Sequence, residues 1–240
     1  MNGIKAVLFD LDGTLVDSFK SIVIAFNAAL EYLGADKVNE SEIKEYIGTP
    51  HEVTIKKFSP EASDEQIKKS AEIFHKTRIK YTDEYTTAID NSLVILKFLK
   101  NSGIKTAVVT TTGRDISTRI LKKTGLYDYI DVLVSRDDVK KLKPDPEPVI
   151  TALNKIREIG NINGRENTKE NINNINKLNK ENCIMIGDHP NDILAGKCAG
   201  IKTVGIVNVH SACELKSHGA DYIVSNLFEI EQLIAGFLAD

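Results

Sequence analysis

The chain has 240 residues, 42% of them hydrophobic and 27% charged, with 31 Lys and Arg against 34 Asp and Glu for a formal net charge of -3. That length buries an adequate core as one compact α/β domain, or as one domain carrying a sizeable insert, without staples. The composition offers no broad basic surface for nucleic acid and no run of about 18 uncharged apolar residues for a membrane, and Cys183, Cys198 and Cys213 follow neither a disulfide nor a zinc spacing.

In chain order, Met1 to Lys5 leads straight into an apolar strand without the regions of an export signal, so a reducing, cytoplasmic setting is expected. Lys5-Ala-Val-Leu-Phe-Asp10 is continuously apolar up to its acid, which is how a strand buried on both faces of a parallel sheet reads. From Ser18 to Tyr85 the periodicity is helical: Ile22, Phe26, Ala29, Leu30 and Leu33 share one face before Gly34. Further helices are predicted around 52–58 and 64–81, the second with Asp64 as its N-cap. Apolar runs then recur at 105–110, 132–135, 183–187, 203–207 and 222–224, with amphipathic helical segments between most of them. This alternation predicts a Rossmann-like α/β core with a parallel sheet, residues 1–16 and 86–240, into which a small α-helical cap, residues 17–85, is inserted. The Asn-, Lys- and Glu-rich tract 161–182 is poor in large apolar residues and is predicted to be a solvated surface insertion, although Ile172, Ile175 and Leu178 are spaced so that a short helix could lie against the body.

Asp10-Leu-Asp12-Gly-Thr14 places two carboxylates where the first strand leaves the sheet, at the edge where open α/β sheets hold ligands. Gly13 permits a tight turn whose amides can approach a phosphoryl oxygen. Gly187-Asp188-His189-Pro190-Asn191-Asp192 repeats the design, and two such acidic strand ends can share a hard cation such as magnesium. His189 has no partner at metal-ligand spacing and reads as a packing residue. Lys143, in Lys143-Pro144-Asp145-Pro146, could neutralise phosphoryl charge or be a solvated lysine beside a turn, and Thr110 could donate to a phosphoryl oxygen or satisfy local backbone.

Taken together and in order, these motifs resemble the haloacid dehalogenase superfamily, in particular its phosphoglycolate phosphatase-like branch with a helical cap. The resemblance implies a hydrolase in which Asp10 is the nucleophile that forms an aspartyl-phosphate. Asp12 would be the general acid and then the base, with Thr110 and Lys143 holding the phosphoryl group. It implies Mg2+ held by the Asp10 carboxylate, the Asp12 main-chain carbonyl and the Asp188 carboxylate, with Asp192 in support. Candidate substrate contacts are Gly13, Thr14 and Thr111, the last standing where relatives often have asparagine, together with Gly48, His51 and Glu52 of the cap loop. Asp12 favours phosphate over halide chemistry, since halide displacement has no alcohol to protonate. The expected partner is a small phosphorylated metabolite, with phosphoglycolate the leading candidate, and neither nucleic acid nor membrane. A phosphosugar mutase of the β-phosphoglucomutase kind, an inorganic pyrophosphatase and a non-enzymatic phosphate-binding module are the alternatives.

Overall fold

The computed structural model describes residues 3–163 and 178–239. Its strands are β1 (Ala6–Phe9), β2 (Val16–Asp17), β3 (Thr87–Ala88), β4 (Lys105–Val109), β5 (Val132–Val134), β6 (Cys183–Gly187), β7 (Lys202–Ile206) and β8 (Tyr222–Val224). One wholly parallel sheet runs β5-β4-β1-β6-β7-β8, while β2 and β3 pair antiparallel in a separate ribbon.

The apolar runs become strands because both faces of the sheet are covered. Val7 and Phe9 point into one cluster with Ile95, Leu99, Ile116, Ile120 and Ile234. That cluster is supplied by α5 (Ser92–Asn101), α6 (Arg114–Lys123) and α10 (Leu227–Ala239). Ala6 and Leu8 point the other way, to Val149, Leu153 and Ile156 of α7 (Glu147–Asn163) and to Ala195 and Ala199 of α8 (Pro190–Ala199). Each such fully buried large side chain contributes about 1.5–3 kcal/mol, which outweighs local propensity in setting the strand register. The remaining helix, α9 (Ala212–Ser217), follows β7. No described helix is long and apolar enough to cross a membrane.

Between β2 and β3 every regular element is a helix: α1 (Phe19–Tyr32), α2 (Glu40–Lys44), α3 (His51–Phe58) and α4 (Asp64–Tyr85). These helices enclose a core of their own, with Phe26 and Phe74 ring centroids 4.7 Å apart among Ile22, Leu30, Ile43 and Ile55. Two local expectations are corrected. The N-cap of α4 is Ser63, not Asp64, because Gln66 three residues on completes a capping box with it, and the helix continues past residue 81 to Tyr85. The five-residue α2, closed by an Asn39–Glu42 capping box, was not anticipated.

The tract 161–182 is also redrawn at both ends. Helix α7 continues through Asn163, and residues 180–182 form one 3-10 turn. Leu178 is buried with Ile156 and Cys183 against the sheet, packed on the body as its spacing allowed. Residues 164–177, and with them most of the expected surface insertion, lie outside the described residues.

Since β1 lies between β4 and β6 and all three run parallel, the residues leaving them, Asp10, Thr110 and Asp188, meet at one edge of the sheet. This is the carboxyl edge, near the point where the strand order reverses direction.

Candidate active site

The amide of Asp10 donates to the Ile186 carbonyl at 2.9 Å, so the neighbouring strand fixes where the carboxylate emerges. Lys143 Nζ then donates to Asp10 Oδ1 at 2.6 Å, to Asp192 Oδ1 at 2.6 Å and to the Val109 carbonyl at 2.8 Å. These three bonds use all three ammonium protons, and a lysine only 3% exposed is tolerable for that reason. Its neighbours Lys140 and Lys141 are exposed. Burial opposes the charge on Lys143, but the carboxylates of Asp10 and Asp192 outweigh it and hold the pKa above the usual lysine range.

Carboxylate oxygens of Asp10, Asp188 and Asp192 lie within 4.8 Å of one another, and all three residues are buried. Burial first, and Asp192 second, push the Asp188 pKa up to about 7. Burial also raises that of Asp10, with Asp192 and Asp188 adding to it and Lys143 opposing. Three buried acids facing one ammonium form an under-compensated cluster of hard oxygen donors, which is the donor set a hard divalent cation such as magnesium fits.

The backbone is shaped to allow this crowding. Gly13 adopts a φ of +89°, and a Cβ there would fall 2.3 Å from Asp188 Oδ2. A Cβ on Gly187 would lie 2.2 Å from Asp192 Oδ2. Thr14 donates its hydroxyl to Asp188 Oδ1 at 3.0 Å, so that hydroxyl is committed to holding the acid. Asn208, after β7, donates to the Gly13 carbonyl at 3.0 Å and lies 3.4 Å from Asp188 Oδ2. His189 is the N-cap of α8, its Nδ1 accepting from the Asn191 amide at 3.0 Å, and burial pushes its pKa down to about 4.

The Asp12 side chain is engaged elsewhere. It accepts from Thr112 Oγ1 at 2.6 Å, from Arg78 Nη2 at 2.7 Å and from the Ser18 hydroxyl. Burial disfavours its charge, yet Arg78 and the two hydroxyls hold the carboxyl below the usual carboxylate range. Neither Arg78 nor Thr112 was identified from sequence, although Arg78 does carry a signal: it continues the buried stripe Ile67, Ala71, Phe74 of α4. Thr110 is buried, and its hydroxyl accepts from the Thr112 amide at 3.1 Å, which leaves its own proton to be donated elsewhere.

A cavity of about 50 Å³ opens beside Asp10 and Thr110, lined also by Thr111, Gly48, His51 and Arg78. A second, of about 340 Å³, adjoins Asp12, Gly13, Thr14 and Asp188 on the other side. His51 stacks on Phe74 with centroids 4.5 Å apart, and burial pushes its pKa down to about 4, so it is neutral at pH 7. Arg136, following β5, donates to His51 Nδ1 at 2.9 Å and to Glu52 Oε1 at 2.7 Å. The structure does not bring Glu52 into the small cavity; it lines a neighbouring outer groove.

The family model of the haloacid dehalogenase-like hydrolases matches residues 7–206. Over 234 residues the chain is 33% identical to a provisionally named pyrophosphatase PpaX of Caldanaerobacter subterraneus subsp. tengcongensis, covering 97% of this chain and 96% of that protein. It is 29% identical over 236 residues to a phosphoglycolate phosphatase of Aquifex aeolicus, covering 98% and 99% respectively. Among solved structures, a hydrolase from Pseudomonas syringae superposes with a TM-score of 0.78 at 26% identity, covering 97% of this chain and 98% of that one.

Proposed function

This chain belongs to the haloacid dehalogenase-like hydrolase family, and on that premise we propose that it is a magnesium-dependent phosphatase that hydrolyses a small phosphate through an aspartyl-phosphate. The observation that carries the reading is the buried Lys143 joining Asp10 to Asp192, with Asp188 alongside, at the carboxyl edge of the sheet.

An Asp10 oxygen attacks phosphorus while the bond from phosphorus to the leaving oxygen breaks, and Asp12, ionised in the resting site, takes up a proton from solvent as the anionic substrate binds and passes it to that oxygen. Asp12 then takes a proton from water, whose oxygen attacks the phosphorus, releasing inorganic phosphate and restoring Asp10. Lys143, whose protons already go to Asp10, Asp192 and the Val109 carbonyl, serves as a fixed positive charge that also orients the nucleophile. Thr110 donates its remaining proton to a phosphoryl oxygen. Asp10, Asp188 and the Asp12 main-chain carbonyl would hold Mg2+, with Asp192 in support, and the ion would offset acidic charge that otherwise repels an anionic substrate.

Residues 17–85 act in this reading as a cap over a core of residues 1–16 and 86–240, and Gly48 and His51 bring the cap to the small cavity. Its volume of about 50 Å³ favours a compact substrate. The names of the relatives supply the first two to try, pyrophosphate and phosphoglycolate. The test is release of inorganic phosphate from both, with magnesium and with excess chelator. Transfer of the phosphoryl group to a sugar without phosphate release, or turnover that survives thorough chelation, would overturn the reading.

A further inference from the structure

One buried cation plays no part in that scheme. Arg78 is 5% exposed and sends Nη2 to Asp12 and Nη1 to Thr112, while its Nε is buried with no hydrogen-bond partner. A buried N–H on a guanidinium is costly to leave unpaired, so a ligand that supplies the missing acceptor gains from a donor already desolvated. Docking α4 onto Asp12 would need only the two terminal nitrogens. Arg78 lines the small cavity with Asp10 and Thr111, and Arg136 lines it too, held at the cap side by His51 and Glu52.

We propose that Arg78 receives a second anionic group of the substrate, so that the site selects compact phosphates carrying another phosphoryl or carboxylate group close beyond the leaving oxygen. The inference rests on the reading of Asp12 as the group that faces the leaving oxygen. Arg78 Nη2 sits 2.7 Å from Asp12 Oδ1, so an oxygen within hydrogen-bond reach of Asp12 lies beside the guanidinium fork. Whatever that oxygen carries next would lie on the Arg78 side of the cavity. In pyrophosphate the next atom is the second phosphorus; in phosphoglycolate the carboxylate follows one carbon later. Either group brings an anionic oxygen that the one unpartnered N–H of Arg78 can meet, a directed donor that an ammonium in its place does not reproduce. Arg136 contributes a further positive charge on the same cavity. Methyl phosphate has no second anion and would leave Nε as it is.

The experiment compares wild type with Arg78→Met and Arg78→Lys on pyrophosphate, phosphoglycolate and methyl phosphate, all with magnesium. The methionine variant is expected to lose at least about tenfold more kcat/KM on the two doubly anionic substrates than on methyl phosphate, chiefly through KM. The lysine variant should fall between, since it keeps charge without the fork, and it carries the comparison if the methionine variant does not fold. Equal losses on all three substrates would show that Arg78 only positions Asp12, and no loss would show that it does neither; both overturn the proposal. Calorimetric binding of methylenediphosphonate reads the same receptor without turnover. Affinity for it should fall at least about tenfold in Arg78→Met, and unchanged affinity overturns the inference even if no phosphate is hydrolysed. Hydrolysis of none of the three by wild type would instead sink the proposed reaction.

Discussion

Asp188→Asn should make the metal-free protein more stable at pH 8. Asp188 is 5% exposed, and burial together with Asp192 lifts its pKa from 3.8 to about 7. With the folded value raised, the stability linked to this group is complete below pH 4 and is lost as the pH climbs to about 7. A gap of about 3 pH units is worth about 4 kcal/mol at about 1.4 kcal/mol each. That figure is a ceiling on what removing the charge returns, because the amide is a weaker acceptor for the Thr14 hydroxyl that now lies 3.0 Å from Asp188 Oδ1. Half the ceiling, at about 2–4 °C per kcal/mol for a domain of this size, gives a rise in Tm of about 4–8 °C. The measurement is a set of thermal melts with chelator at pH 5 and pH 8, repeated with magnesium. The gain should shrink at pH 5, where the buried acid of the wild type is already protonated. Magnesium should raise the melting temperature of the wild type more than that of the variant. A variant that melts below wild type at pH 8 in chelator, or an offset identical at the two pH values, would refute the argument.

Asp10→Asn should fold normally and retain less than about a hundredth of wild-type turnover on the best substrate, because an amide is a poor nucleophile; initial rates of phosphate release check this. Excess chelator should abolish activity and magnesium should restore it, whereas calcium should inhibit because its larger and looser coordination misplaces the reacting groups. Small phosphates should be preferred over phosphopeptides by at least about tenfold in kcat/KM, since a peptide would hold the helices of residues 17–85 away from Asp10. Comparable specificity constants in a competition assay would count against that arrangement.

The strands of the main sheet were legible because most of their residues are buried on both faces and so write burial into consecutive positions, as Ala6–Phe9 does, whereas the two-residue β2 and β3, with β3 exposed, carry no such run. The meeting of Asp10 with Asp188 followed from two such strands each ending in acid. Helical elements were less sharply defined where two signals compete: Ser63 and Asp64 both suit an N-cap, and only the Gln66 side chain decides between them. Arg78 was hidden among the basic residues Lys68, Lys69, Lys76 and Lys80 of the same helix, most of which are solvated, and only its register on the apolar stripe sets it apart. Asn208 sits in a loop after β7, where no periodicity exists to say which way a side chain faces, and its role depends on a turn nearly two hundred residues earlier. Lys143 could not be told from Lys140 and Lys141 by composition, because what distinguishes it is the pair of carboxylates it meets only once the chain has folded.

The β2–β3 ribbon has a consequence for how such a protein can be altered. Val16 stands opposite Ala88 and Asp17 opposite Thr87, so the chain departs and returns through one narrow doorway. The posts are secured from the sheet side: the Ile89 amide donates to the Leu15 carbonyl at 3.0 Å and Ser92 Oγ to the same oxygen at 2.7 Å. Antiparallel neighbours lie only about 5 Å apart, the spacing a two-residue Asn-Gly turn would span. Anything whose two ends meet at that spacing can therefore be spliced in without re-registering a single strand of the main sheet. Exchange of residues 17–85 would leave the main chain of Asp10 and Asp12 in place a few residues upstream of the splice, but it would remove Ser18 and Arg78, so a replacement has to bring its own donors for the Asp12 carboxylate.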